Sequence, residues 1–157
     1  MSGNINIINF EKPRFNIKNL FKKKISSTNL DKSTIRILFI DDDVDDFPVI
    51  QNLKDAGWSV EACRDIQNIE DDIVKRSHII FVDYKGVGKN FSEREQGIGL
   101  IKILKDTYKN TKRIILYSGH NRFSLGDQID VADTKLPKNA DTREFIEIIK
   151  KEMKKIQ

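Results

Sequence analysis

Four short apolar runs each end on a polar or charged residue, and this arrangement limits the fold more than any other feature of the chain. Ile37-Leu38-Phe39-Ile40 runs into Asp41-Asp42-Asp43, Ile79-Ile80-Phe81-Val82 into Asp83, Ile114-Ile115-Leu116-Tyr117 into Ser118, and Leu136-Pro137 into Lys138. The first three are too short for buried helices and rich in isoleucine. They read as strands covered on both faces, as the strands of a parallel sheet are. In an open parallel sheet the ligand crevice lies outside the carboxyl ends of the strands. Acidic, acidic, hydroxyl and ammonium groups therefore gather on one edge, a constellation suited to a divalent cation and a phosphoryl group.

Between the runs the apolar spacing turns helical. Phe47, Val49, Ile50 and Leu53 form a face that stops at Gly57, and Ser59-Val60-Glu61-Ala62-Cys63 then alternates as a short strand. Ile66, Ile69, Ile73 and Val74 suggest a second helix. Ile98, Ile101, Ile103 and Leu104 give a third, which ends in the polar stretch 109–112. The stretch 121–133 has few apolar anchors and supports only a short or irregular helix. In the last helix Asp141 and Glu144 have the spacing of a capping box. Phe145, Ile148, Ile149, Met153 and Ile156 form its buried stripe, with four lysines near the negative end of the dipole. Five strands alternating with helices predict a doubly wound α/β domain.

The 157 residues suit one domain with a tail, and 38% hydrophobic residues are enough for one core. The net charge of +4 is unevenly placed. Residues 1–35 hold seven basic residues against Glu11 and Asp31, so the remainder of the chain carries −1. The basic character belongs to an amino-terminal extension, and it argues little for nucleic-acid binding by the body. Residues 1–34 are expected to be a flexible basic extension and 35–157 the globular domain. Within the extension, residues 13–25 alternate basic groups with Phe15, Ile17, Leu20, Phe21 and Ile25. That pattern fits a solvated tail, or a helix that packs on the body or a partner. Contact with an anionic membrane surface is the weakest of the three, because one such helix binds weakly without a second anchor. The single cysteine, Cys63, excludes an internal disulfide and reads as a buried structural thiol. No apolar run approaches the ~20 residues of a membrane span, and the start of the chain lacks a signal-peptide core. A cytoplasmic protein is expected.

The acidic pair after the first strand, Asp83 after the third, Ser118 after the fourth and Lys138 after the fifth resemble the receiver domain of two-component response regulators, over roughly residues 36–157. The resemblance implies a flavodoxin-like, doubly wound five-stranded parallel sheet of strand order 2-1-3-4-5. It implies that Asp83 accepts a phosphoryl group as an acyl phosphate. It also implies an Mg²⁺ site, with Asp42 and Asp83 as direct ligands, Asp41 bound through water, and the backbone carbonyl of Lys85 completing the protein's share. Such a site suits Mg²⁺, which takes oxygen ligands and keeps several waters. Ser118 would hydrogen-bond a phosphoryl oxygen and Lys138 would pair with it as a compact charge. Lys135 competes with Lys138, but Lys138 lies at the family's usual distance from the hydroxyl, and the last helix begins at the matching offset. Like charges packed together raise carboxylate pKa values, so the metal-free pocket is expected to be destabilising.

The chain departs from the family in three places. The loop 84–96 before Gly97-Ile98-Gly99-Leu100 is longer than usual, and Gly86 and Gly88 lead to the expectation of a mobile lid or partner loop. Its Gly-Val-Gly-Lys lacks the spacing of a phosphate loop. Asn139 follows Lys138 where the family usually has proline, which predicts a differently shaped lysine loop. Lys135 stands where the family often has a switching aromatic. His78 and His120 have no partner at ligand spacing and read as structural or solvent-facing.

The leading expectation is a stand-alone receiver that takes its phosphoryl group from a histidine kinase or phosphotransfer protein and signals to an unidentified downstream protein by contact. It would have no DNA-binding domain and would not be a turnover enzyme, though the acyl phosphate could hydrolyse in place. A pseudo-receiver that binds partners without phosphorylation is the alternative. A phosphatase resembling the haloacid dehalogenases, with Asp41-x-Asp43 as nucleophile and acid, is the third.

Overall fold

The computed structural model describes residues 31–119 and 130–156. The expectations for the extension through residue 30, for the helix at 13–25, for His120 and for most of the stretch 121–133 lie outside the described residues. Five strands, β1 (Arg36–Ile40), β2 (Ser59–Cys63), β3 (Ile79–Asp83), β4 (Arg113–Ser118) and β5 (Thr134–Pro137), pair in parallel in the order β2-β1-β3-β4-β5. This is the expected doubly wound sheet of order 2-1-3-4-5. Helices α1 (Pro48–Asp55), α2 (Asp72–Arg76), α3 (Gly97–Tyr108) and α4 (Thr142–Met153) cover it.

The isoleucine-rich runs occupy the three central strands, and β3 is buried along its whole length. Because side chains alternate across a strand, the runs feed two separate cores. Ile37, Phe39, Ile79, Phe81, Ile115 and Tyr117 meet α1 and α4 on one face. Leu38, Ile40, Ile80, Val82, Ile114 and Leu116 meet α2 and α3 on the other. Phe39 and Phe81 are register partners, with rings stacked at 4.4 Å.

Helix boundaries follow local chemistry. Pro48 opens α1, where a missing N–H costs nothing. Gly57 follows its end at φ 85°, the left-handed conformation that glycine adopts freely. In α4 the Asp141 carboxylate accepts from the Glu144 N–H, and the Glu144 carboxylate accepts from the Asp141 N–H, each at 2.9 Å.

Four expectations are corrected. The second helix is only the five residues Asp72–Arg76. Ahead of it the side chains of Asp65, Asn68 and Asp71 accept from the backbone N–H groups of Ile66, Glu70 and Asn68, turns that compete with helix. Ile66 is buried all the same, from a loop. Cys63 is half-buried rather than buried. On α4 and just beyond it, Ile148, Met153 and Ile156 are only partly buried, whereas Glu152 has no exposed area. Its carboxylate accepts from Arg113 Nε (2.9 Å), Thr134 Oγ1 (2.8 Å) and Lys155 Nζ (2.8 Å). Lastly, the loop 84–96 is docked, not a free lid. Val87 is fully buried, worth about 2 kcal/mol. The Gly88 N–H donates to the Asp65 carboxylate, and Asn90 Nδ2 donates to Gln67 Oε1 at 2.7 Å.

Candidate functional site

The strand register brings the polar termini together. Asp41 follows β1, Asp83 ends β3 opposite Tyr117, Ser118 ends β4 opposite Pro137, and Lys138 follows β5. The Lys138 N–H donates to the Ser118 carbonyl at 2.8 Å, so the lysine leaves the sheet beside the hydroxyl-bearing residue. From there Lys138 Nζ lies 2.8 Å from Asp41 Oδ2 and 3.0 Å from Asp83 Oδ2. Lys135, the competing lysine, turns away and pairs with Asp130 at 2.7 Å. Ser118 is buried.

Asp41 is the most enclosed member of the group, with a side chain 1% exposed. Its Oδ1 accepts from the Asp43 N–H at 2.9 Å and its Oδ2 from the Tyr117 hydroxyl at 2.7 Å. Asp83 Oδ1 accepts from the Tyr84 N–H at 2.7 Å. Burial raises the Asp83 pKa, Lys138 pulls it back, and the charge of Asp41 adds to the rise, leaving it above the ordinary carboxylate value. Burial works against the Lys138 charge, but the Asp41 and Asp83 carboxylates outweigh it and hold the ammonium above its usual range. The expected repulsion between buried carboxylates is therefore partly answered within the chain, by an ammonium set between two of them. Burial, then the negative charge of Asp41, pushes the Tyr117 hydroxyl far upward, so it stays a proton donor.

Asp42 is exposed at the rim, and one oxygen from each of Asp41, Asp42 and Asp83 lies within 4.8 Å of the others. An all-oxygen set of this kind fits a hard divalent cation such as Mg²⁺ and offers nothing to a thiophilic one. The segment expected to add a carbonyl passes alongside. Lys85 has an exposed side chain, and a Cβ on the next residue, Gly86, would stand 2.2 Å from the Asp42 carboxyl. Gly86 has φ 86°, a conformation that strains any side chain, and a Cβ there would also displace the Asp42 carboxyl from its place. Arg64 bounds the rim. It donates to the Asp42 carbonyl at 2.9 Å and pairs with the Asp45 carboxylate.

Sequence reasoning missed Tyr117 as a polar group. In the sequence it stands as the apolar end of the third run, yet a buried tyrosine hydroxyl needs a partner. Strand alternation puts it on the face of Phe81 and Asp83, which was the available signal. Arg64 stands next to an alternating strand with no pattern to mark it.

No family model matches the sequence, and no curated protein does. Solved structures similar to it include a CheY-like response regulator receiver domain protein from Methanospirillum hungatei. The two are 21% identical with a TM-score of 0.62, covering 78% of this chain and 97% of that one. Response regulator protein TrrA from Thermotoga maritima, in complex with Mg²⁺-BeF, is 20% identical with a TM-score of 0.58, over 75% and 98% of the two chains. Chemotaxis protein CheY4 from Vibrio cholerae is 18% identical with a TM-score of 0.60, again over 75% and 98%. These likenesses, with the strand order above, establish that the chain has the CheY-like receiver fold.

Proposed function

We propose that this chain is a phosphoacceptor receiver, taking a phosphoryl group onto Asp83 and signalling through protein contacts rather than turning over a substrate. One observation carries the reading. Lys138 Nζ sits between the carboxylates of Asp41 and Asp83, and Asp42 brings a third carboxylate within one ion's reach. Purely structural use would leave the buried pair Asp41 and Asp83 sharing one ammonium among the described residues, a costly arrangement at a sheet edge.

In the proposed reaction the phosphorus–nitrogen bond of a donor phosphohistidine breaks, its electron pair staying on the imidazole, and an Asp83 oxygen bonds to phosphorus. The histidine belongs to a kinase or phosphotransfer protein. Asp41, Asp42 and Asp83, with the Lys85 carbonyl, would hold Mg²⁺, which when bound lessens the repulsion between Asp83 and the incoming phosphoryl oxygens. Lys138 shifts its ammonium from the carboxylates to the phosphoryl group, and the Ser118 hydroxyl donates to another phosphoryl oxygen. Preorganised donors of this kind are the main means by which phosphoryl transfer is assisted.

The phosphatase alternative would make Asp41 the nucleophile. Its side chain is 1% exposed and both oxygens are engaged, which disfavours attack. The test is intact mass after incubation with acetyl phosphate and Mg²⁺. A single phosphoryl adduct is expected on the wild type and none on Asp83→Asn. An unmodified wild type would favour the pseudo-receiver, and steady release of phosphate from a phosphomonoester would favour the phosphatase.

A further inference from the structure

The core of this domain does not need a hydroxyl at position 117. The Tyr117 ring lies among Phe39 (5.7 Å between centroids, edge-on), Phe47 (5.7 Å), Phe81 (6.0 Å) and Phe145 (6.5 Å). Phenylalanine would fill the same volume without burying a polar group, which costs free energy unless it is bonded. The oxygen here is bonded to one atom, Asp41 Oδ2, and that atom is also one of the two carboxylate oxygens that Lys138 holds.

We infer that Tyr117 is a positioning residue of the pocket: its caged hydroxyl keeps Asp41 in place when Lys138 leaves the carboxylates for a phosphoryl group. The inference rests on the function proposed above. One ammonium serves Asp41 and Asp83 in the resting pocket and is needed elsewhere after transfer. Once it moves, the Tyr117 hydroxyl is the remaining described donor to Asp41 Oδ2. Four aromatic neighbours keep the ring from following the lysine. Asp41 then stays oriented toward Asp42 and Asp83, as the cation site requires, while the lysine is free to travel.

Tyr117→Phe keeps the ring and removes the donor. The Mg²⁺ concentration giving half-maximal labelling by acetyl phosphate should rise about fivefold, with the labelling rate at saturating Mg²⁺ within twofold of wild type. Direct Mg²⁺ titration, followed by Trp58 fluorescence without phosphodonor, should show a weakening in the same direction. In a Lys138→Met background, where no ammonium shares the burden, the loss from Tyr117→Phe should exceed that in the wild type. A fold defect in the variant is bypassed in the wild type itself. The Tyr117 ¹³Cζ resonance should keep its hydrogen-bonded position on adding Mg²⁺ and beryllofluoride. Unchanged Mg²⁺ dependence in Tyr117→Phe, simple additivity with Lys138→Met, or a lost ¹³Cζ signature would each overturn the inference while wild-type labelling stands. A wild type that takes no phosphoryl group would remove the parent reading and this one together.

Discussion

Gly97, the first residue of α3, tests how closely the phosphoacceptor strand is held. A Cβ added there would stand 1.9 Å from the Asp83 carbonyl oxygen and 3.0 Å from that of Tyr84. The obstacle is backbone, so relief requires β3 and α3 to part by about an ångström. Overpacking of this kind costs about 1–3 kcal/mol, and a backbone obstacle puts Gly97→Ala at the upper end. The better helix propensity of alanine returns up to about 1 kcal/mol, leaving a net loss of about 2 kcal/mol. For a domain of this size that lowers the melting temperature by about 8 °C. Gly57→Ala supplies the contrast. It meets nothing within 4 Å, and its cost, about 1 kcal/mol, comes only from its φ of 85°. Urea denaturation measures both losses, and Mg²⁺ titration separates them. Gly97→Ala moves Asp83 relative to Asp41 and Lys138 and should weaken Mg²⁺ binding, whereas Gly57→Ala should not. A Gly97→Ala protein within 0.5 kcal/mol of wild type, with unaltered Mg²⁺ affinity, would refute the steric argument.

Three further outcomes follow from named contacts. Lys138→Met removes the ammonium that shares Asp41 Oδ2 and Asp83 Oδ2, so Mg²⁺ should raise its melting temperature more than that of wild type while phosphorylation falls; a smaller Mg²⁺ effect would contradict this competition. Glu152→Met removes a buried acceptor of three donors and should cost about 3 kcal/mol by urea titration, and a loss below 1 kcal/mol would mean the network is incidental. His78 Nδ1 accepts from the Arg36 N–H at 3.0 Å, and burial, then the charges of Lys112 and Arg36, lower its pKa from 6.5. The unfolded chain thus binds the proton more readily, so this contribution is complete above pH 6.5 and is lost as pH falls through the lower folded value. The stability–pH curve of His78→Ala should be flatter there, and parallel curves would count against it.

Much of this was legible in the sequence because the isoleucine runs are extreme. Strands buried on both faces have almost no polar positions, so Ile37–Ile40, Ile79–Val82 and Ile114–Tyr117 could not be taken for anything else, and their polar ends came with them. Capping chemistry is equally local, which is why Asp141 and Glu144 were found. The failures came where distant contacts decide. Ile66 and Ile69 share a helical spacing with Ile73 and Val74, but side chains of Asp65, Asn68 and Asp71 claim the backbone first. The glycines of the 84–96 loop suggested mobility, yet Val87 between them finds a place in the core. Glu152 sits on a stripe that looks apolar, and only the meeting of β4, β5 and α4 supplies its donors. At the site, spacing favours Lys138 over Lys135, and it is Lys138 that reaches the carboxylates while Lys135 pairs with Asp130. Tyr117 is hidden in the sequence because its ring completes an apolar run.

The resting pocket has an arithmetic of valence. Among the described residues, three aspartates and one lysine give it two negative charges in excess, the amount one doubly charged cation neutralises. A singly charged ion such as sodium leaves a deficit, and a trivalent ion overshoots. On this basis the protein should discriminate among cations by charge before it does so by radius. A lanthanide ion, whatever its radius, would then leave the resting pocket with one positive charge too many.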